Sequence, residues 1–390
     1  MPRDPRVALF CETFHEINGV ALTVRQLVDF ARRHHLPMLA IHGGKQPAVE
    51  NRGTLRRVAL CRGRMSIPID SDLEYDLFFW RYVKQIRREI LAFRPDVIHI
   101  TSPGEFGQIG IYLANRLKIP LVASWHTNFH QFAARRMQKM LGIFPDRFSV
   151  PTVAWSEGRA LQLLLWFYGH ARATLAPTPE QVVWLEQKLH TPSFLMPRGV
   201  DADLFHPGKR TVEDDVLRLG FVGRITPEKG VRLFERVEKA LLAAGCRNFQ
   251  ILFVGAGSEV DWLGETLAHG EFLGVLRGEE LARAYANMDL FVFPSKTDTF
   301  GNVIQEAAAS EAPSVVTNEG GPQHLVLGGV TGEIADSDEQ FVRKVVEMSG
   351  DRERLKRMGK AARQKVQGTS WDNAFEMTYR AYRHCLPPDR

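Results

Sequence analysis

Seven residues separate two carboxylates, Asp298 and Glu306, in the stretch Ser295-Lys296-Thr297-Asp298-Thr299-Phe300-Gly301-Asn302-Val303-Ile304-Gln305-Glu306. An ionised carboxylate accepts hydrogen bonds at two oxygens, so such a pair suits a polyhydroxylated or cationic ligand. Upstream lies the apolar run Leu290-Phe291-Val292-Phe293, and downstream the small residues Ala307-Ala308-Ala309. The apolar run reads as a buried strand of a parallel sheet, and the residues after it read as a helix entered through a tight loop. Asp298 then stands in the loop and Glu306 on the helix. In a doubly wound sheet, ligands bind in the crevice beyond the carboxyl ends of the strands, where this loop would lie. One solvated acid and one surface helix acid would give the same pattern, so the decision falls to other residues.

Cations come first among them. Gly223-Arg224-Ile225-Thr226-Pro227-Glu228-Lys229-Gly230 follows the apolar strand Leu217 to Val222. Thr226 suits a cap and Pro227 a first helical turn, which predicts a helix running to about Ala244 with Arg224 and Lys229 flanking its N-terminus. Two cations beside free N–H groups would hold a pyrophosphate. The segment is not a Walker A loop, since no Gly-Lys is followed by Ser or Thr. After the strand Phe249 to Val254, Gly255-Ala256-Gly257 lacks the third glycine of a dinucleotide fingerprint. Near the start, Gly19 opens a helix in which Val20, Val24, Leu27, Val28 and Ala31 share a face, another place that favours an anion. His126 closes the strand Leu121 to His126 at the ligand-bearing rim, where a structural histidine is the commoner case. Asp201 and Asp203 have a metal-binding spacing but fall in a Pro- and Gly-rich linker, not at a strand end.

The elements that must position these groups alternate. Strands at Val7 to Phe10, Met38 to Ile41, Leu55 to Leu60, Asp96 to Ile100 and Leu121 to His126 are interleaved with helices, one of them long, from about Leu73 to Phe93. Such β-then-α order predicts a parallel sheet with helices on both faces, repeated after the linker. At 390 residues two domains are expected. They are assigned to 1–196 and 209–370, with a linker at 197–208 and a helical tail at 371–390 that could return to the first. A hydrophobic content of 44% with 24% charged residues is that of a soluble globular protein. Four scattered cysteines argue against a disulfide framework or a zinc site. With no membrane-length apolar run and no signal core, a cytoplasmic protein is expected. The net charge of +5 favours anionic partners of no particular kind. From Phe129 to Phe144, Phe132, Met137, Met140 and Leu141 interleave with Arg135, Arg136 and Lys139. That stretch suits either a peripheral contact with an anionic membrane surface or an ordinary surface helix.

Taken together, these residues resemble the retaining glycosyltransferases of family 4, whose architecture, GT-B, sets two Rossmann-like α/β domains across a cleft. Phe221-Val222-Gly223-Arg224 with Pro227-Glu228-Lys229-Gly230 resembles the family's phosphate segment, and Val254-Gly255-Ala256-Gly257 its following glycine loop. Asp298 and Glu306 match its paired-acid motif, and Gly199-Val200-Asp201 with Phe205 and Pro207 its linker. Thr297 to Asn302 resembles the branch acting on lipid-linked acceptors. The resemblance implies transfer of a hexose from a UDP- or GDP-linked sugar to a glycolipid or phospholipid hydroxyl, with retention of configuration. Implied roles are ribose binding by Glu306, diphosphate binding by Arg224 and Lys229, and donor-sugar binding by Asp298, Thr299, Phe300, Gly301 and Asn302. Gly19, Gly255 and Gly257 would line the nucleotide, and His126 would sit by the reactive face of the sugar. No cofactor, metal or nucleic-acid partner is implied. Two departures are present: aspartate at 298 where relatives often carry glutamate, and Asn18-Gly19 where a glycine pair is common. A soluble acceptor, or a sugar-nucleotide epimerase on the same architecture, remain as alternatives.

Overall fold

The computed structural model describes residues 3–16, 18–63, 66–70, 73–76, 78–126 and 158–386. It divides into two units, Met1–Pro197 with Asp372–Arg390, and Arg198–Trp371. The basic and apolar stretch at 129–144 lies outside the described residues, as do Thr127 to His130.

Among the described residues, ten strands belong to the first unit: β1 (Val7–Cys11), β2 (Met38–Gly44), β3 (Ala48–Arg52), β4 (Leu55–Cys61), β5 (Ile67–Asp70), β6 (Leu73–Tyr75), β7 (Val97–Ile100), β8 (Leu121–Ser124), β9 (Ala173–Ala176) and β10 (Ser193–Leu195). Eight form one sheet in the order β10-β9-β8-β7-β1-β2-β4-β3, parallel except for the β3–β4 edge pair. The chain works outward from β1 through β2 and β4, then returns to β7 and works the other way. Its reversal therefore lies between β1 and β7. Helices cover the faces, so β1, β7, β8 and β9 are buried at every residue.

The second unit holds β11 (Leu217–Val222), β12 (Phe249–Val254), β13 (Gly270–Phe272), β14 (Leu290–Phe293), β15 (Ser314–Thr317) and β16 (Gly332–Ala335) in one parallel sheet. Its order is β13-β12-β11-β14-β15-β16, with the reversal between β11 and β14.

Three elements depart from expectation. The helix foreseen from Leu73 is instead β6, then a 3-10 turn at Phe79–Tyr82, then a helix at Val83–Phe93. Asp76 is the cause: its carboxylate accepts the N–H groups of Gly63 at 2.7 Å and Phe78 at 2.9 Å, a local alternative to helix. β3 is an additional hairpin strand, antiparallel to β4. β8 ends at Ser124, two residues before His126.

The helix Trp371–Cys385 packs on the first unit. Phe375 and Tyr379 lie 5.6 and 5.7 Å from the Phe30 ring, and Asp372 accepts from Arg33 at 2.9 Å. At its far end the Tyr382 hydroxyl is 2.7 Å from Nδ1 of buried His99. No helix of the described residues is long and apolar enough to cross a membrane.

Candidate active site

In the second unit the loops leaving β11 and β14 emerge side by side at the reversal of strand order. The first carries Arg224 and Lys229, the second Asp298. Lys229 Nζ donates to Asp298 Oδ1 at 2.7 Å and Oδ2 at 2.8 Å. The two side chains are 13% and 23% exposed, shielded enough for the pair to exceed an ordinary surface ion pair. Arg224 lies 3.6 Å from Glu228, and its side chain is 34% exposed.

Lys229 is aimed by a tighter device than the sequence suggests. Pro227–Lys229 form one 3-10 turn, Thr226 makes no side-chain cap, and the helix proper begins at Leu233. Gly230 ends the turn at a φ of 70°, with Pro294 O only 2.7 Å from where a Cβ would stand. So the β11 loop is pressed against the end of β14, and the expected helix N-terminus beside Arg224 and Lys229 is not there.

Gly255 and Gly257 sit behind this loop. Ile225 N donates to Ala256 O at 2.9 Å, and Glu259 N to Ile225 O at 3.0 Å. A Cβ on Gly255, whose φ is 142°, would lie 1.9 Å from Gly223 O, and one on Gly257 would lie 2.1 Å from Ile225 O. Both glycines are thus required by the closeness of two backbones. Beyond β14, Asp298 O accepts from Gly321 N at 2.7 Å, which fixes the loop from its other side. Phe300 is buried, Thr299 lies between it and Asp298, and Gly301 at a φ of 97° turns the chain into the helix Asn302–Ala309.

Glu306 stands on that helix, partly buried, and Tyr285 Oη donates to its Oε2 at 2.8 Å. Burial pushes the Glu306 carboxyl up to about 7, and the hydrogen bond from Tyr285 pulls the other way. Burial and the neighbouring acid hold the Tyr285 phenol well above its ordinary range. Tyr285 is fully buried, with its ring edge-on to Phe205 at 5.5 Å. Sequence motifs alone do not single it out. The available signal was a tyrosine on the apolar face of a helix beside Ala282 and Ala286, because a buried phenol needs a partner.

The structure therefore brings Lys229 and Asp298 into contact, with Arg224, Gly255 and Gly257 on the adjoining loops and Glu306 on the following helix. Gly19 and His126 belong to the first unit, beyond β1 and β8. Gly19 is the first residue of the helix Gly19–Arg33, where Asn18 Oδ1 accepts Ala21 N at 2.8 Å. His126 is buried. Asp201 caps a turn, accepting from Asp203 N at 3.2 Å and Leu204 N at 2.9 Å. Among the described residues no acid, cysteine and histidine cluster has metal-holding geometry.

The first unit's own reversal, between β1 and β7, holds a group that the sequence did not advertise. Glu12 and Glu105 are 3% and 2% exposed and share Arg62, at 3.2 and 3.1 Å. Glu12 also accepts Phe106 N at 2.9 Å. Burial, then the adjacent Glu105, raise the Glu12 carboxyl well above its usual range.

Comparison with known proteins finds matches over most of the chain. The family model described as Glycosyltransferase Family 4 matches residues 17–204, and that described as Glycosyl transferases group 1 matches 217–351. The GDP-mannose-dependent alpha-mannosyltransferase of Corynebacterium glutamicum is 30% identical, over 95% of this chain and 86% of that one. The protein of the same name from Mycobacterium tuberculosis is 31% identical over 94% and 93%. Among solved structures, sucrose-phosphate synthase from Thermosynechococcus elongatus superposes with a TM-score of 0.74 at 17% identity, covering 98% of this chain and 99% of that one.

Proposed function

Since the chain belongs to glycosyltransferase family 4 and has the GT-B fold, we propose that it transfers mannose from GDP-mannose to a hydroxyl of a lipid-linked acceptor, with retention of configuration. That it is a glycosyltransferase follows from the family. The donor is proposed from relatives at 30% and 31% identity that are named for it. The lipid acceptor is proposed from the likeness of Thr297 to Asn302 to the branch that uses such acceptors.

The observation that carries the reading is the meeting of Lys229 and Asp298 at the β11/β14 reversal, the position at which α/β sheets bind nucleotides. In the proposed complex Lys229 and Arg224 hold the diphosphate and stabilise the charge that grows on it as the bond from sugar C1 to phosphate oxygen breaks. Asp298, released from Lys229, accepts from hydroxyls of the mannose. Glu306 accepts from the ribose hydroxyls, oriented by Tyr285. The acceptor oxygen bonds to C1 on the face the diphosphate leaves, and its proton passes to the departing phosphate oxygen. Arg224 and Lys229 supply the positive charge for this step, so the proposal includes no metal or other cofactor. Gly19 and His126 of the first unit keep the roles that the family resemblance implies for them.

Thermal-shift titration with GDP, UDP and ADP tests the base, with GDP expected to give the largest shift. Radiolabelled GDP-mannose offered with membrane lipid extract or with free sugars tests the acceptor. Label entering only the water-soluble products would overturn the lipid assignment, and free mannose released without any acceptor would favour an epimerase-like or hydrolytic enzyme.

A further inference from the structure

The first sheet ends on β3, and that edge is built unlike the others. Among the described residues, the other outer strands of the two large sheets, β10, β13 and β16, run for three, three and four residues. β3 runs for five without a proline, and its register with β4 holds without a bulge from Ala48 opposite Ala59 to Arg52 opposite Leu55. Every residue of β3 but Glu50 is exposed, Val49 at 51%. A regular, exposed edge offers backbone donors and acceptors to another strand, and short edges, prolines and bulges are the usual means of preventing it.

Gly53, at a φ of 62°, and Thr54 form a two-residue turn, so Arg52 and Leu55 close it as a hydrogen-bonded pair. Antiparallel ladders alternate, which puts the other bonded pairs at Glu50–Arg57 and Ala48–Ala59 and leaves the N–H and C=O of Val49 and Asn51 pointing away from β4. Side chains alternate too. Glu50 and Arg52 share one face, 3.6 Å apart and 41% and 68% exposed, and Glu50 also accepts from Arg57 at 2.7 Å. On the other face Asn51 Oδ1 accepts from Arg56 at 2.9 Å. The edge thus carries an acid and a base on either side of a residue whose backbone bonds outward. A second copy of the strand, turned about a two-fold axis through Asn51, sets Asn51 opposite Asn51 as a hydrogen-bonded pair and Glu50 opposite Arg52 in both directions. The Glu50–Arg52 positions are then non-hydrogen-bonded pairs, the closer kind, where opposite charges attract and like charges repel. An axis through Val49 would instead set Asn51 opposite Pro47, which has no N–H to donate.

We propose that two copies of this chain join through β3, antiparallel about Asn51, into one continuous sheet held by the Asn51 backbone pair and reciprocal Glu50–Arg52 pairs. The occupant of this edge is a second copy because the charge order of the strand, reversed, is its own complement. Pairing of this kind needs neither the donor nor the acceptor to be known.

Sedimentation velocity of the full chain between about 1 and 100 μM tests it, and the wild type is expected to pass from one chain to two across that range. Asn51→Pro removes an N–H that β4 does not use, so it should leave the melting temperature nearly unchanged and weaken association by about 100-fold. Glu50→Lys and Arg52→Glu each set like charges opposite one another and should each weaken association by about tenfold. The two together restore opposite charges and should return it to within about threefold of wild type. After air oxidation Asn51→Cys should give a disulfide-linked dimer, its Cα atoms being about 5.5 Å apart across the axis. Val49→Cys, about 14 Å from its mate, should not. A single chain at every concentration, association indifferent to Asn51→Pro, or cross-linking at Val49→Cys rather than Asn51→Cys would each overturn the proposal. So would a folded double charge exchange that associates no better than Glu50→Lys or Arg52→Glu alone.

Discussion

Lys229 reaches both carboxylate oxygens of Asp298, at 2.7 and 2.8 Å, across the two loops that flank the reversal of the second sheet. In the proposed reaction one of these groups serves the phosphate and the other the sugar, so in the free protein each occupies the other's ligand position. Donor binding must part them. The Lys229→Ala variant is expected to lose turnover by about 100-fold or more, the cost of a charge-stabilising donor. Asp298→Asn should lose turnover to a similar extent, yet bind GDP at least as tightly as wild type because Lys229 is no longer neutralised. Measured kcat for both and calorimetric Kd for GDP check this. Near-wild-type kcat in Lys229→Ala, or weakened GDP binding in Asp298→Asn, would reject the exchange of partners.

What could be read from the sequence was what sequence-local forces decide. The apolar runs at Leu217–Val222 and Phe249–Val254 become β11 and β12 because a strand covered on both faces must be apolar throughout. Asp298 in a loop and Glu306 on a helix follow from the short distance between Phe293 and Ala307. What stayed hidden depends on partners far along the chain. Tyr285 meets Glu306 across 21 residues, and Glu12 meets Arg62 across 50. The turn at Pro227–Lys229 carries good helix-start residues, but contact between Gly230 and the end of β14 delays the helix to Leu233. Asp76 likewise breaks an apolar pattern that reads as helix.

The Tyr285–Glu306 pair predicts how pH acts on nucleotide binding. A carboxyl held at about 7 is half protonated near neutrality and then lacks part of its acceptor capacity for ribose hydroxyls. Affinity for GDP should rise with pH between about 6 and 8, and Glu306→Gln should flatten the profile. The sign for the unliganded protein is opposite. A carboxyl raised from 4.5 stabilises the fold below that value and loses the contribution as pH climbs to about 7. Tyr285→Phe removes the donor that favours the charged form, so its binding profile should move to higher pH. Calorimetric titrations across this range, with 2′-deoxy-GDP as the control for the ribose contact, decide the matter; an unmoved profile in Tyr285→Phe contradicts it.

Gly255 tests whether the β11 and β12 loops must interlock. An added Cβ would meet Gly223 O at 1.9 Å in a backbone conformation that side chains avoid. Gly255→Ala should therefore cost roughly 2–4 kcal/mol of stability, through strain and displacement of the Arg224 loop. GDP affinity should fall with it. Chemical denaturation of the variant gives the first quantity, and titration under conditions where it stays folded gives the second.

His99 predicts acid sensitivity of the first unit. The ring is fully buried, with Nε2 2.5 Å from Ser124 Oγ and Nδ1 2.7 Å from the Tyr382 hydroxyl, which joins β7 and β8 to the C-terminal helix. Burial lowers its pKa from 6.5 to about 3, so the folded protein keeps it neutral while the unfolded chain takes up a proton. Stability is complete above about 6.5 and drains away as pH falls toward 3. His99→Gln, which cannot titrate, should lower stability at neutral pH but respond less steeply to acid. Tyr382→Phe should cost about 1–3 kcal/mol at neutral pH by leaving the ring nitrogen unpartnered, and should detach the helix Trp371–Cys385 first. Hydrogen exchange along that helix, compared at pH 7 and 5, gives the readout. Equal protection in wild type and Tyr382→Phe would show that Phe375 and Tyr379 hold the helix by packing alone.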